Sequence, residues 1–145
     1  MIRRMQAEDV TKVAQNEAVC FSMPWSEDAF RDVFTKKDCI YLVAVCEGDI
    51  VGHCGVMNIL GEGEITNVAV HPAYRGRGYG KRLIEALLLE GEENGIRDFT
   101  LEVRKGNAPA IHIYEAAGFR AEGIRPGFYD NPKEDAIIMW KRQEE

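Results

Sequence analysis

Apolar residues recur at two different spacings along this 145-residue chain, and the switches between them mark out its elements. Residues 2–5 read as a short edge strand. Val10, Val13, Ala14 and Ala18 then recur at helical spacing and predict a first helix over 7–20. Met23-Pro24-Trp25 interrupts it. Ser26 offers an N-cap for a second helix, with Glu27 and Asp28 in its first turn and Phe30, Val33 and Phe34 on one side. Residues 39–46 and 50–57 read as a hairpin around Glu47-Gly48-Asp49, and a third strand covers 63–70. Leu83, Ile84, Leu87 and Leu88 form the apolar stripe of a helix over 79–94, which Asn94-Gly95 ends. A strand at 97–103 precedes a helix capped by Asn107, with Pro109 in its first turn and Gly118 as its stop. Two last strands, 118–123 and 134–141, flank a polar loop holding Pro126 and Pro132.

The predicted order is β-α-α-β-β-β-α-β-α-β-β, without repeats or a linker, so residues 1–145 read as one domain of the α/β (α+β) class. The strands 65–70 and 97–103 are apolar enough to need cover on each side. One mixed sheet with helices on both faces satisfies that need.

The most informative local feature follows the third strand: Arg75-Gly76-Arg77-Gly78-Tyr79-Gly80-Lys81-Arg82, directly before a helix. Alternate glycines allow a tight turn with uncovered N–H groups. A helix start adds free amides and the positive end of its dipole, so the segment suits a compact anion such as a pyrophosphate. A P-loop needs a hydroxyl after Gly-Lys, and here Arg82 follows Lys81. The dinucleotide fingerprint needs Gly-x-Gly-x-x-Gly immediately after a strand. This loop has Gly76-x-Gly78-x-Gly80, five residues beyond Val70. The net charge of −6 argues against general nucleic-acid binding and makes the cationic loop a local exception on an acidic protein. The remaining acidic surface favours a basic or amine-bearing second partner.

Arg75-Gly-Arg-Gly78-Tyr-Gly80 resembles the pyrophosphate loop Arg/Gln-x-x-Gly-x-Gly/Ala of the GCN5-related N-acetyltransferases. Asn107-Ala-Pro-Ala-Ile-His-Ile-Tyr114-Glu-Ala-Ala-Gly118-Phe119 is similar to that family's second cofactor segment. Four segments resemble the branch that acetylates the N-terminal alanine of a small-subunit ribosomal protein. They are Met23-Pro-Trp-Ser-Glu27, Asn67-Val-Ala-Val70, Leu101-Glu-Val-Arg104 and Glu134-Asp-Ala-Ile-Ile-Met139.

The resemblance implies a mostly antiparallel central sheet of six to seven strands with about four helices, and acetyl-CoA as co-substrate without a metal. The pyrophosphate is then expected on Arg75, Gly76, Arg77, Gly78, Tyr79, Gly80 and Lys81, although Arg77 and Tyr79 are variable positions in the family. The pantetheine arm is expected beside Val68, Ala69 and Val70, and Asn107 is expected to contact the cofactor as well as cap its helix.

Glu102 is the one acid within Phe99-Thr-Leu-Glu-Val103, and alternation puts it on the face away from Leu101 and Val103. By itself that position suits a surface glutamate equally well; the resemblance implies a general base. Tyr114 is spaced to pack with Ile111 and Ala117, and the resemblance adds protonation of the departing thiolate. Trp25 and Tyr129 are expected at the acceptor groove. The base has a modest task with an α-amine of pKa near 8, because deprotonation at pH 7 costs only about 1.4 kcal/mol, against about 4.6 for a lysine side chain.

The implied partner is therefore the N-terminal peptide of a ribosomal protein, with no direct contact to nucleic acid or membrane. A lysine or small-amine acetyltransferase, and a CoA sensor without turnover, are the competing readings. The N-terminus has cations but no apolar core behind them, and no stretch approaches the roughly 20 apolar residues of a membrane span. A cytoplasmic location is expected. Cysteines 20, 39, 46 and 54 lack metal-like spacing and read as free thiols. In the hairpin, Cys46 is expected opposite Ile50 and Cys54 near Leu42.

Overall fold

The computed structural model describes residues 1–143. Its strands are β1 (Ile2–Arg4), β2 (Cys39–Cys46), β3 (Asp49–Ile59), β4 (Glu62–Val70), β5 (Asp98–Arg104), β6 (Arg120–Tyr129) and β7 (Glu134–Lys141). Its helices are α1 (Val10–Cys20), α2 (Glu27–Phe34), α3 (Tyr79–Glu93) and α4 (Ala108–Ala116). The seven strands form one sheet in the order β1-β2-β3-β4-β5-β7-β6. Only the β4–β5 pair is parallel. The element order and mixed sheet follow the expectation.

Strand alternation separates two cores. Leu42 and Ala44 of β2 join Val56, Phe99, Leu101 and Met139 beneath Leu83, Ile84 and Leu87 of α3 and Tyr114 of α4. Tyr41 and Val43 face the other way, against Val10 and Val13 of α1 and Phe30 and Val33 of α2. Each side chain lands where its parity sends it. Burying an aliphatic or aromatic side chain in these layers contributes roughly 1.5–3 kcal/mol.

Capping fixes the helix limits that the site depends on. Ser26 Oγ accepts from Ala29 N at 3.1 Å, and Asn107 Oδ1 accepts from Ala110 N at 3.3 Å. Gly118, at φ 105°, ends α4, and Phe119 N returns to Tyr114 O at 3.0 Å.

Three expectations are corrected. β6 extends through Pro126 to Tyr129, so the connection to β7 is only a short turn at 130–133. Pro126 is tolerated because β6 is an edge strand whose register shifts between Arg125 and Tyr129. In the hairpin Cys46 lies opposite Asp49 rather than Ile50, because the register shifts between Ala44 and Val45; Cys54 does lie opposite Leu42. The buried side of α1 continues from Val10 and Val13 to Asn16 and Glu17, and Ala18 faces solvent.

Candidate active site

A gap in the sheet organises the site. β4 and β5 pair only at Glu62–Asp98, Gly63–Phe99 and Glu64–Thr100. Immediately beyond, Gly55 and Val56 of β3 are opposite Asn67 and Ile65, so Thr66 is an extra, bulged residue. A bulge bends its strand and raises its twist. Past it, β4 stays with β3 as far as Gly52–Val70, while β5 stays with β7 as far as Arg104–Ala136. His71 N donates to Val51 O of β3 at 2.8 Å. Alternation therefore turns the Ala69 amide toward β3 and the Val68 and Val70 amides into the gap.

The glycine loop stands at one end of that gap. Gly76 and Gly78 have φ 80° and 84°, and neither has anything within 4 Å of where a Cβ would be. Gly78 is the left-handed N-cap of α3, and the first helical bond recorded at this end runs from Arg82 N to Gly78 O. None of the amides from Gly76 to Lys81 donates to another described residue. Gly80 serves packing instead: a Cβ there would lie 3.2 Å from Ile113 Cδ1 of α4.

The cations divide their work. Arg75 Nε donates to Val70 O at 2.9 Å, which tucks its guanidinium against the end of β4. Arg77 and Arg82 lie over the rings of Tyr74 and Tyr79, at 5.1 and 4.5 Å. Lys81 is 3.9 Å from Glu85 and largely exposed.

Glu102 and Tyr114 lie on opposite faces of the sheet. Glu102 shares its face with Thr100 and Arg104, while Leu101 and Val103 go down into the α3–α4 core. Its Oε2 lies 3.5 Å from Arg125 Nε, yet it is buried and makes no hydrogen bond. The side chain as a whole is about a quarter exposed, so the carboxylate is not sealed off, and a carboxylate without a hydrogen bond is an acceptor for an ammonium or a water. Tyr114 is in the opposite core beside Phe119, with ring centroids 6.0 Å apart. Burial pushes its phenol well above the ordinary range, and the neighbouring Tyr129 adds to the effect, so the hydroxyl stays protonated at neutral pH.

Tyr129, at the end of β6, has its phenol raised to about 12, mainly by burial and then by the charge of Glu102. Arg104 stacks over it at 4.4 Å. The same guanidinium donates to Pro132 O at 2.8 Å and Asp130 O at 3.0 Å, which fastens the β6–β7 turn to β5. Asn107 is exposed and caps α4, leaving its amide nitrogen free. Trp25 is half-buried against Phe30 and Tyr41, at centroid distances of 5.4 and 6.4 Å.

Sequence reasoning missed a buried polar cluster on the Glu102 side of the sheet, built from Glu17, Asn16, His53, Asn67 and Tyr41. The available signal was Glu17 itself, a carboxylate seven residues after Val10, where the apolar stripe of α1 calls for a buried side chain. Among the described residues no group of His, Cys, Asp and Glu has the arrangement of a metal site, and no helix is long and apolar enough to cross a membrane.

Residues 10–119 match the sequence profile of the Acetyltransferase (GNAT) family. The chain belongs to that family. Its members use acetyl-CoA as acetyl donor. A Bacillus subtilis (strain 168) protein, provisionally described as a ribosomal protein bS18-alanine N-acetyltransferase, is 36% identical over 140 residues, covering 96% of this chain and 93% of its own. The ribosomal protein bS18-alanine N-acetyltransferase of Escherichia coli (strain K12) is 32% identical, with 95% and 94% covered. The crystal structure of the ribosomal-protein-S18-alanine N-acetyltransferase from Escherichia coli superposes with a TM-score of 0.90 at 31% identity, over 100% of this chain and 94% of that one. The GNAT fold implied by the two sequence motifs is thus borne out.

Proposed function

We propose that this protein is an Nα-acetyltransferase that moves the acetyl group of acetyl-CoA to the N-terminal alanine of ribosomal protein bS18. The observation that carries the reading is the near end-to-end match, in sequence and in fold, to the Escherichia coli enzyme of that description.

The donor side fits the cofactor. Open left-handed glycines and unpaired amides from Gly76 to Lys81 suit a pyrophosphate at the start of α3, with Arg75, Arg77 and Tyr79 shaping the loop around it. Acetyl-CoA brings the activated acetyl thioester. Beside the gap, the Val68 and Val70 amides serve the pantetheine arm and the thioester carbonyl, and Ala69 holds β4 to β3. Asn107 offers its free amide nitrogen to the cofactor while capping α4.

On the acceptor side, the partly exposed Glu102 carboxylate takes a proton from the incoming ammonium, directly or through one water. Tyr114, kept protonated by burial, returns a proton to the departing sulfur. Tyr129 and Trp25 border the acceptor. Most of the acceleration then comes from holding amine and thioester together across the gap. No step in this scheme calls for a metal. An acidic protein with one cationic loop suits a protein substrate met in the cytoplasm rather than nucleic acid or membrane.

The test is to offer acetyl-CoA with peptides beginning in alanine, peptides carrying internal lysines, and polyamines, then to locate the acetyl group by mass spectrometry. Acetyl on the α-amine of the alanine peptides is the expected result. Modification confined to lysine side chains or polyamines, or none at all, overturns the assignment.

A further inference from the structure

Glu17 is 2% exposed and His53 is 0% exposed, and neither is used by the chemistry above. The Glu17 carboxylate accepts from three donors on three separate segments. Trp25 N, in the segment between α1 and α2, donates to Oε2 at 3.1 Å. Asn67 Nδ2, on β4, donates to the same oxygen at 3.0 Å. His53 Nε2, on β3, lies 2.9 Å from Oε1. The far side of the ring is 3.0 Å from Asn16 Nδ2, which leaves Asn16 Oδ1 buried and without a partner.

Two of those donors sit where the reaction needs precision. Asn67 directly follows the bulged Thr66 and directly precedes Val68, whose amide points into the gap. Trp25 lies on the same sheet face as Glu102, between the two helices that cover that face. The end of α1 also reaches the gap, since Cys20 Sγ lies 3.4 Å from Val70 O. One carboxylate therefore fixes the α1–α2 segment against the bulged strand.

We infer that Glu17 is a positioning residue for the acceptor: by tying Trp25 to Asn67 it sets the wall that holds the amine against the thioester. The inference takes from the proposed function that an acceptor peptide enters on the Glu102 side. A buried charge held by donors from separate elements, rather than by one ion pair, is suited to fixing relative position.

The hydrogen-bond pattern also predicts which substitution is tolerated. In Glu17→Gln the amide oxygen still accepts from Trp25 and Asn67. Its nitrogen can donate to His53 Nε2 once the ring proton moves to Nδ1, and the Asn16 amide, whose Nδ2 now faces that nitrogen, turns over so that Oδ1 accepts from it. In Glu17→Met none of the three donors has a partner.

The experiment uses a Trp140→Phe background, in which Trp25 is the only tryptophan of the two in the chain. Glu17→Met is expected to shift Trp25 emission to the red and to increase its quenching by acrylamide. With an alanine-initiated peptide it raises the acceptor KM about tenfold while the acetyl-CoA KM changes less than about twofold. Glu17→Gln restores both readouts.

A folded Glu17→Met protein with unaltered emission and unaltered acceptor KM overturns the proposal, and so does a parallel rise in both KM values. Should Glu17→Met fail to fold, Asn67→Ala, which removes the strand side of the tie along with the acceptor for Tyr41, must reproduce the rise in acceptor KM where Tyr41→Phe does not; unaltered kinetics in Asn67→Ala overturn it. The emission readout needs no acceptor. Failure of the unsubstituted protein to acetylate the peptide therefore strikes the substrate assignment, while Trp25 emission still decides the tie.

Discussion

The ring of Tyr41 lies over Gly55, its register partner on β3, so closely that a Cβ at position 55 would overlap it. From there the Tyr41 hydroxyl donates to Asn67 Oδ1 at 2.9 Å and lies 2.8 Å from Thr66 Oγ1. The glycine thus admits the phenol that braces the bulge of β4. Gly55→Ala is expected to destabilise the fold by about 1–3 kcal/mol through overpacking. Tyr41→Phe, which leaves Asn67 Oδ1 without its donor, costs about 1–3 kcal/mol. Thermal unfolding should register both as losses of several degrees, and an unchanged midpoint in either would refute the bracing role.

Glu102→Gln removes the proposed proton acceptor while keeping the shape of the side chain. Acceptor kcat/KM should fall about 10²-fold near neutral pH, with the acetyl-CoA KM unchanged. The defect should narrow as pH rises past about 8, because the α-amine then deprotonates without help. A defect that is constant with pH would instead make Glu102 a charge that orients the ammonium. The comparison needs full pH–rate profiles of both proteins.

Much of the fold was legible in the sequence because its periods are clean. β2 alternates between two cores, the stripe of α3 is unbroken, and the caps of α2 and α4 occur where Ser26 and Asn107 stand. The glycine loop was legible as well, since Gly76 and Gly78 need positive φ. The bulge at Thr66 was not, because the register of β4 against β3 and its divergence from β5 are settled by tertiary pairing. Nor was the Glu17 cluster, whose partners are 8, 36 and 50 residues away in the chain. The length of β6 was misjudged because Pro126 ends a central strand but is harmless at an edge.

Tyr114 offers a separation of catalysis from stability. Its hydroxyl makes no hydrogen bond with another described residue, so Tyr114→Phe keeps the packing against Phe119. The unfolding midpoint should change by no more than a degree or two, while kcat falls about 10²-fold if the hydroxyl protonates the leaving sulfur. An unaltered kcat would reduce Tyr114 to a core aromatic. In an alkaline absorbance titration, Tyr41 and Tyr114 should stay protonated beyond pH 10, since burial raises both phenols. The sign follows from linkage. Stability is full below the unfolded-state value near 10 and declines as pH rises toward the folded-state values. Both phenols should therefore ionise together with alkaline unfolding rather than before it.

The acid limb of stability should be set in part by Asp9. Arg3 clamps this buried carboxylate through two contacts, Nη1 to Oδ2 at 2.6 Å and Nη2 to Oδ1 at 3.0 Å, and Gln6 N donates to Oδ2 at 2.8 Å. The Arg3 hydrogen bonds hold its pKa below the ordinary carboxylate value, against the opposing effect of burial. A depressed folded-state pKa gives stability that is full above the unfolded-state value near 3.9 and is lost as pH falls through the folded-state value. Asp9→Asn should cost about 1.5–3 kcal/mol at neutral pH, because a charge-assisted pair becomes a neutral one. The loss should begin to shrink as the pH drops below about 4, where Asp9 of the unfolded chain takes up its proton, and should vanish only once the pH has passed the depressed folded-state value. Denaturant melts of both proteins at pH 7 and at pH 3 measure this directly, and a gap of equal size at the two pH values would show that the Arg3–Asp9 pair contributes nothing through its charge.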